Sequence, residues 1–347
     1  MRPLTHNRQF NKAISAKTEL AAGGGPLLSV CVPVYNGARY LEESLNSLLD
    51  QDFTDCELVV VDDCSTDDSA AVIARYKDQG LRTYRNEQRL GLVGNWNHCL
   101  ELARGRYVTL FHQDDVMQPH NLKLKVELLE RYPNVGMVYS DVRIIGADGL
   151  VQMDHWPIPM EPNSDIVVSG KDFFVRLISG YNLACCPSVV FRRECYVQLG
   201  PFDPRLSFTT DWEMWLRIAL HFDVAYLKTP LVHYRLHDSN ETWRFKGVRE
   251  LQEEFRAKLI ALDREPNRVP NSKTLRRKVF EALETRVLQL VNEGQLSSEA
   301  EIEYRTLAEE MRRSGDIVGI HRFLRWLRRH AAKVPISLQK IAGVKIR

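Results

Sequence analysis

The sequence of 347 residues has no apolar window near the ~20 consecutive residues that a membrane-spanning helix needs. Its opening stretch, MRPLTHNRQFNKAISAKTEL, lacks an apolar centre, so a secretory signal is not expected. The seven cysteines are odd in number and contain no C-x-x-C pair, which speaks against a disulfide framework and a structural zinc site. They read as reduced thiols in a cytosolic compartment. Two glycine signatures are also missing. Without a P-loop, an NTPase of that type is excluded. Without G-x-G-x-x-G after the first strand, a dinucleotide-binding fold is not indicated, and Gly91-x-x-Gly94 alone says little. With 44% hydrophobic and 27% charged residues, the composition is that of a globular protein.

Net charge is small, +2, but unevenly spread. From Arg312 to Arg347 ten Lys and Arg stand against one acidic residue, which leaves residues 1–311 at −7. A mildly acidic body with a basic tail does not suit nucleic acid, whose basic footprint belongs on the folded module. It leaves open a tail that meets an anionic surface.

Residues 1–26, ending in Gly23-Gly24-Gly25-Pro26, carry no sustained period and read as a flexible leader. Leu28–Pro33 is a short apolar strand, followed by a turn at Asn36-Gly37 and a helical stripe of Leu41, Leu45, Leu48 and Leu49. Leu58–Val61 forms a second strand. Ser65-x-x-Asp68 has the form of a capping box opening a helix through Ala74. Leu81–Tyr84, a helix over Trp96–Leu102, and a strand at Tyr107–Phe111 complete an alternating pattern. That pattern predicts an α/β fold with a doubly wound, mostly parallel sheet, whose ligands bind at the carboxyl ends of the strands.

Those ends are acidic. Asp62-Asp63-Cys64-Ser65-Thr66-Asp67-Asp68 follows the second strand and His112-Gln113-Asp114-Asp115 the fourth. Asp67 and Asp68 are explained by helix capping. Asp114 and Asp115 lie too far before the helix after Pro119 to cap it well. Adjacent carboxylates raise each other's pKa unless a cation or donors intervene, and oxygen ligands on a short turn suit Mg²⁺ or Mn²⁺ bound together with substrate phosphates. His112 is expected on the opposite face of its strand.

Val32-Pro33-Val34-Tyr35-Asn36, Val60-Val61-Asp62-Asp63-Cys64-Ser65-Thr66-Asp67 and Gln113-Asp114-Asp115 resemble family 2 glycosyltransferases of the GT-A fold. Gly200-Pro201-Phe202-Asp203, Asp211–Arg217 and Tyr234-Arg235-Leu236-His237 continue the resemblance in order and spacing, over about residues 28–240. It implies an inverting, non-processive transfer of one sugar from a nucleotide diphosphate sugar to a hydroxyl of a glycan, lipid-linked or protein acceptor, with Mn²⁺ or Mg²⁺ as cofactor. Under it, Pro33, Val34 and Tyr35 line the base and ribose. Asp63, with Asp62 beside it, accepts from the pyrimidine N–H. The loop Arg89–Gly94, including Gly91, closes over the nucleotide with Asn97. Asp115 binds the metal while Asp114 faces ribose or donor sugar. Asp211 is the general base. The family usually has Glu-Asp at this point, and Thr210 here puts acceptor orientation in question.

Several residues have two readings. Glu213 is either a fallback base or a solvated helix position. His237 is either a metal or diphosphate ligand or a surface residue. Trp212 and Trp215 either pack a helix, with Met214, Leu216 and Ile218, or stack on sugar. The alternatives for the whole chain are a nucleotidyltransferase, which lacks its basic glycine-rich loop here, and a sugar-nucleotide-binding module without turnover. A polymerising synthase would need membrane spans and a Q-x-x-R-W element, and neither is present. Residues 241–347 read as a helical appendage, with stripes Leu251-Phe255-Leu259-Leu262 and Val279-Leu283-Val287-Leu290. In its tail Ile320, Phe323, Leu324 and Leu327 share one helical face, flanked by Arg322, Arg325, Arg328 and Arg329. Such a helix either packs on the fold or lies at the cytoplasmic face of a membrane.

Overall fold

The computed structural model describes residues 25–156, 164–241, 248–269 and 272–292, together with Ile302. Most of the expected leader and the whole basic tail lie outside the described residues. The first half runs β1 (Leu28–Val34), α1 (Ala38–Leu49), β2 (Cys56–Asp62), α2 (Ser69–Ala74), β3 (Arg82–Arg85), α3 (Gly91–Leu102), β4 (Tyr107–Leu110), β5 (Val116–Met117) and α4 (Asn121–Arg131). Then come β6 (Val135–Ile145), β7 (Val151–Met153), β8 (Ile166–Val168), α5 (Gly170–Ser179), β9 (Val189–Arg192), α6 (Arg193–Leu199), α7 (Thr210–Ala219), β10 (Asp223–Arg235), α8 (Val248–Arg264) and α9 (Ser272–Asn292).

One ten-stranded sheet carries all of this, in the order β3-β2-β1-β4-β9-β6-β10-β5, with β7 added on β6 and β8 on β10. The β3, β2, β1 and β4 pairs are parallel, as the alternating strands and helices predict. Beyond β4 the sheet is mixed, because β9 runs antiparallel to both β4 and β6 while β10 returns parallel to β6. Both faces are covered, so the strands alternate between two apolar layers rather than between oil and water. Val30, Val32 and Val60 pack with Leu41, Leu45 and Leu48 of α1 on one face. Cys31, Val59 and Val61 pack with Trp96, Phe173, Trp215 and Leu259 on the other. Leu41, Leu45 and Leu48, at 2% exposure or less, each contribute roughly 1.5–3 kcal/mol on burial.

Local expectations meet two corrections. Ser65 and Asp68 form no capping box: Asp68 is the N-cap residue of α2 but makes no side-chain cap bond, the Ser65 hydroxyl accepts the Asn36 N–H at 2.9 Å, and Asp67 accepts the Ser69 N–H at 3.0 Å. The segment expected as a loop, Arg89–Gly94, is in part the first turn of α3, entered at Gly91 with φ +75°. The carboxyl-terminal helices are continuous with the core, since Phe255, Leu262, Leu275 and Val279 belong to the layer that holds Trp96 and Trp215. All seven cysteines stand as free thiols.

Candidate active site

Parallel strands β1, β2 and β4 all end on the same edge, and the acidic segments follow from there. Beyond β1, the Tyr35 peptide is gripped by the Gln113 amide, which accepts the Tyr35 N–H at 2.9 Å and donates to its carbonyl at 3.0 Å. Gly37 is required for this grip, because a Cβ there would lie 2.2 Å from Gln113 Oε1. The Arg89 guanidinium sits 3.9 Å from the centre of the Tyr35 ring, a cation–π contact at the rim. Pro33 is half-buried and the Val34 side chain is in the core, so Val34 reaches this edge through its backbone alone; its carbonyl accepts the Asp63 N–H at 2.8 Å.

Asp62 and Asp63 are both 2% exposed. Asp62 accepts the Ser65 N–H at 3.0 Å and pairs with Arg85, so both of its oxygens hold the turn after β2. Asp63 accepts from Asn86 and from the Leu90 N–H, each at 2.7 Å, and from the Gly91 N–H at 2.8 Å. Three of its roughly four acceptor positions are thereby occupied. Asn97 departs from expectation. Its amide donates to the Phe202 carbonyl at 3.0 Å and accepts the Phe202 N–H at 2.9 Å, which ties α3 to the turn before α7 instead of closing over a ligand.

Past β4 lies the most unusual chemistry. Asp115 is fully buried; its Oδ1 accepts the Arg235 N–H at 2.8 Å, and its Oδ2 has no hydrogen-bond partner. His112 points to this side, correcting the expected opposite face: Nδ1 lies 3.5 Å from Asp115 Oδ2 and the ring stacks on Trp96 at 5.5 Å. Its Nε2 is buried without a partner. His237 is also brought in, but its partner is Asp114 rather than Asp115, with Nε2 2.9 Å from Asp114 Oδ2, where Asn240 also donates at 3.2 Å. The buried Arg235, unmarked by any single-residue signal, steadies the turn by donating to the Asp114 carbonyl at 2.8 Å and to Glu43 at 2.6 Å.

His112, Asp114 and Asp115 offer one ligand atom each within 4.8 Å of one another. Burial, joined by the charge of Asp114, pushes Asp115 up to about 6. Burial works against a charged His112, but the charges of Asp115, Asp114 and Asp211 outweigh it and raise its pKa. A buried carboxylate oxygen without a donor, beside a second carboxylate and the His112 imidazole, fits a divalent cation. The carboxylate oxygens suit Mg²⁺ or Mn²⁺.

Across from this cluster, Asp211 opens α7. Its Oδ1 accepts the Trp212 N–H at 2.7 Å and its Oδ2 accepts from Asn182 at 3.0 Å. Burial raises it to about 6 in spite of those donors and of His112. Glu213 is not a solvated position. It is fully buried, bound by Arg217 at 2.9 Å and approached by Arg264 at 3.3 Å, and is therefore engaged away from the solvent. Trp212 and Trp215 are 5% and 1% exposed and pack in the core, Trp215 edge-on to Phe191 and Phe202. Neither ring is open to stack on sugar.

A mostly parallel sheet whose strands end in acidic turns, with Asp211 at the start of α7, has the architecture of the GT-A fold. The model of glycosyl transferase family 2 matches residues 29–186. An uncharacterized protein of Mycobacterium tuberculosis is 33% identical over 233 residues, covering 65% of this chain and 72% of that one. The Escherichia coli UDP-Glc:α-D-GlcNAc-diphosphoundecaprenol β-1,3-glucosyltransferase WfgD is 24% identical over 216 residues, 62% of this chain and 79% of its own. The match spans about two thirds of the length of several other glycosyltransferase relatives. Among solved structures, S. aureus TarS 1–349 in complex with UDP-GlcNAc superposes with a TM-score of 0.61 at 20% identity, over 79% of this chain and 77% of that one. The chain belongs to glycosyltransferase family 2.

Proposed function

We propose that the chain transfers one sugar from a nucleotide diphosphate sugar to a hydroxyl of a glycan or lipid-linked acceptor, with inversion, and that Asp211 is its general base. The observation that carries this reading is the pairing of a raised Asp211 carboxylate with the His112–Asp114–Asp115 cluster. In it the acceptor hydroxyl gives its proton to an Asp211 oxygen as its own oxygen attacks the anomeric carbon, and the bond to the diphosphate breaks on the opposite side. A single displacement leaves the anomeric centre inverted and needs no covalent enzyme intermediate. A pKa near 6 suits a base that must be ionised at neutral pH yet still hold a proton transiently. Asp114, Asp115 and His237, with His112 within reach, would hold a divalent cation that neutralises charge on the departing diphosphate. Tyr35 and Arg89 at the rim supply a ring and a cation for the nucleotide.

A lipid-linked acceptor fits because the relative WfgD is named for a diphosphoundecaprenol substrate. No described helix is long and apolar enough to cross a membrane, and we assign contact with the cytoplasmic face to the basic tail. The test is a screen of UDP-, GDP- and dTDP-sugars against lipid-linked and free glycan acceptors, scored by the leaving group. Acceptor-dependent release of nucleoside diphosphate supports the reading. Release of pyrophosphate would assign a nucleotidyltransferase instead, and donor binding without turnover would assign a binding module.

A further inference from the structure

The Asp211 carboxylate depends on residues far from it in sequence. Asn182, in the loop between α5 and β9, donates to Asp211 Oδ2 at 3.0 Å. Its own carbonyl oxygen accepts the Ala184 N–H at 3.3 Å, which fixes which end of the amide faces the carboxylate. Two residues earlier, the Gly180 carbonyl accepts from Lys258 Nζ of α8 at 2.8 Å. Lys258 is 3% exposed, is paired with Glu254 at 3.0 Å, and lies 4.5 Å from the centre of the Trp212 ring, next to Asp211 in the chain.

Helix α8 also holds the other side of the base. Glu253 accepts the Ser207 N–H at 2.6 Å through its side chain and the Thr209 hydroxyl at 2.9 Å through its carbonyl. The loop that aims Asn182 and the segment that starts α7 are thus both pinned to one helix. A carboxylate that takes a proton from a substrate must be aimed, and a 1 Å displacement of such a group can cost about 10²-fold in rate.

Resting on the assignment of Asp211 as the base, we propose that Asn182 is its positioning residue and that α8, through Lys258, sets the place of the Asn182 loop. Helix α8 is then a working part of the catalytic site and not a structural appendage. The amide donor favours the ionised carboxylate against the burial that disfavours it, and the other groups facing Asp211 are His112 and the buried thiols of Cys185 and Cys186.

The test uses the full-length enzyme with saturating metal and donor, and reads kcat against pH beside donor affinity by calorimetry. Asn182→Ala should lower kcat about 10- to 100-fold, the scale of a hydrogen bond to a charged group, with donor affinity unchanged. Its acid limb should move to higher pH, because a carboxylate that loses a donor is protonated more readily. Lys258→Met paired with Glu254→Gln, which leaves no unmatched buried charge, should lower kcat in the same way. Added to Asn182→Ala it should cost little more, since both act through one carboxylate. Unchanged kcat and acid limb in Asn182→Ala, or full additivity of the two changes, would overturn the proposal. Asp211→Asn separates the levels: if that variant keeps its kcat, the base assignment has failed, whereas if it is inactive while Asn182→Ala is normal, only the positioning role has failed.

Discussion

Arg217→Met probes the network that decides what Glu213 does. Arg217 is 1% exposed and donates to Glu213 at 2.9 Å, to the Leu199 carbonyl at 2.7 Å, to the Gly200 carbonyl at 3.0 Å and to the Pro201 carbonyl at 2.8 Å. Removing the guanidinium strands a fully buried carboxylate, with only Arg264 at 3.3 Å left beside it, and frees three carbonyls. Breaking one side of a buried ion pair costs about 3–5 kcal/mol. For a chain of this size that corresponds to a fall of roughly 4–7 °C in Tm. Glu213→Gln keeps the volume and an amide oxygen that can accept from Arg217, but it removes that buried guanidinium's counter-charge, so a loss at the lower end of the same range, about 3 kcal/mol, is expected. Thermal denaturation and steady-state kinetics on both variants are the assay. Glu213→Gln should retain kcat within a few-fold. A Glu213→Gln enzyme with normal Tm and donor binding but a kcat down a hundredfold would refute the structural role and make Glu213 the base.

Further outcomes follow from the site and from the basic tail. Because the Asp211 carboxylate is raised to about 6 and must be ionised to accept a proton, kcat should rise with pH up to that region and fall about tenfold per unit below it; a flat profile between pH 5 and 7 would contradict the assignment. The same shift means that protonated Asp211 stabilises the fold below about pH 4, a contribution lost as pH rises through about 6, so Asp211→Asn should match or exceed the wild-type Tm at pH 7.5. Chelation should abolish turnover with Mn²⁺ restoring it, and Asp114→Asn or Asp115→Asn should weaken Mn²⁺ binding measured directly by paramagnetic resonance; unaltered Mn²⁺ affinity in both would remove the cluster as the cation site. Finally, the full chain should sediment with anionic vesicles in a salt-sensitive way, at about 1 kcal/mol per cation near the surface, and a chain ending at Asp316 should not; equal behaviour of the two forms would return the tail to the fold.

The residues legible in the sequence are those whose chemistry is local. Asp114 and Asp115 stand past a strand end, where a carboxylate without a capping duty is conspicuous, whereas Asp211, in the first turn of a helix, was marked only by the family resemblance; the parallel half of the sheet follows from apolar runs alternating with helical stripes. His112 was illegible for a geometric reason: β4 stops at Leu110, so alternation of faces no longer applies two residues later. Asn97 looked available because its partner, the Phe202 backbone, lies 105 residues away. Asn182 and Lys258 gave no signal, since one amide and one lysine acquire meaning only through contacts 29 and 78 residues distant. Glu213 did carry a hint, Arg217 four residues on, but an i,i+4 pair is ordinarily a surface feature. Here α7 is buried almost all round, and the pair is inside. The antiparallel β9 was similarly unreadable, because strand direction beyond β4 is set by tertiary pairing with β6.

The most direct measurement is transfer by wild-type and Asp211→Asn enzyme to one acceptor, with nucleoside diphosphate release, the anomeric configuration of the product and donor affinity read on the same samples. An inverted product is expected from the wild type. The variant should bind donor with unchanged affinity and lose at least two orders of magnitude in kcat. A product of retained configuration, or a variant that transfers at the wild-type rate, would contradict the account.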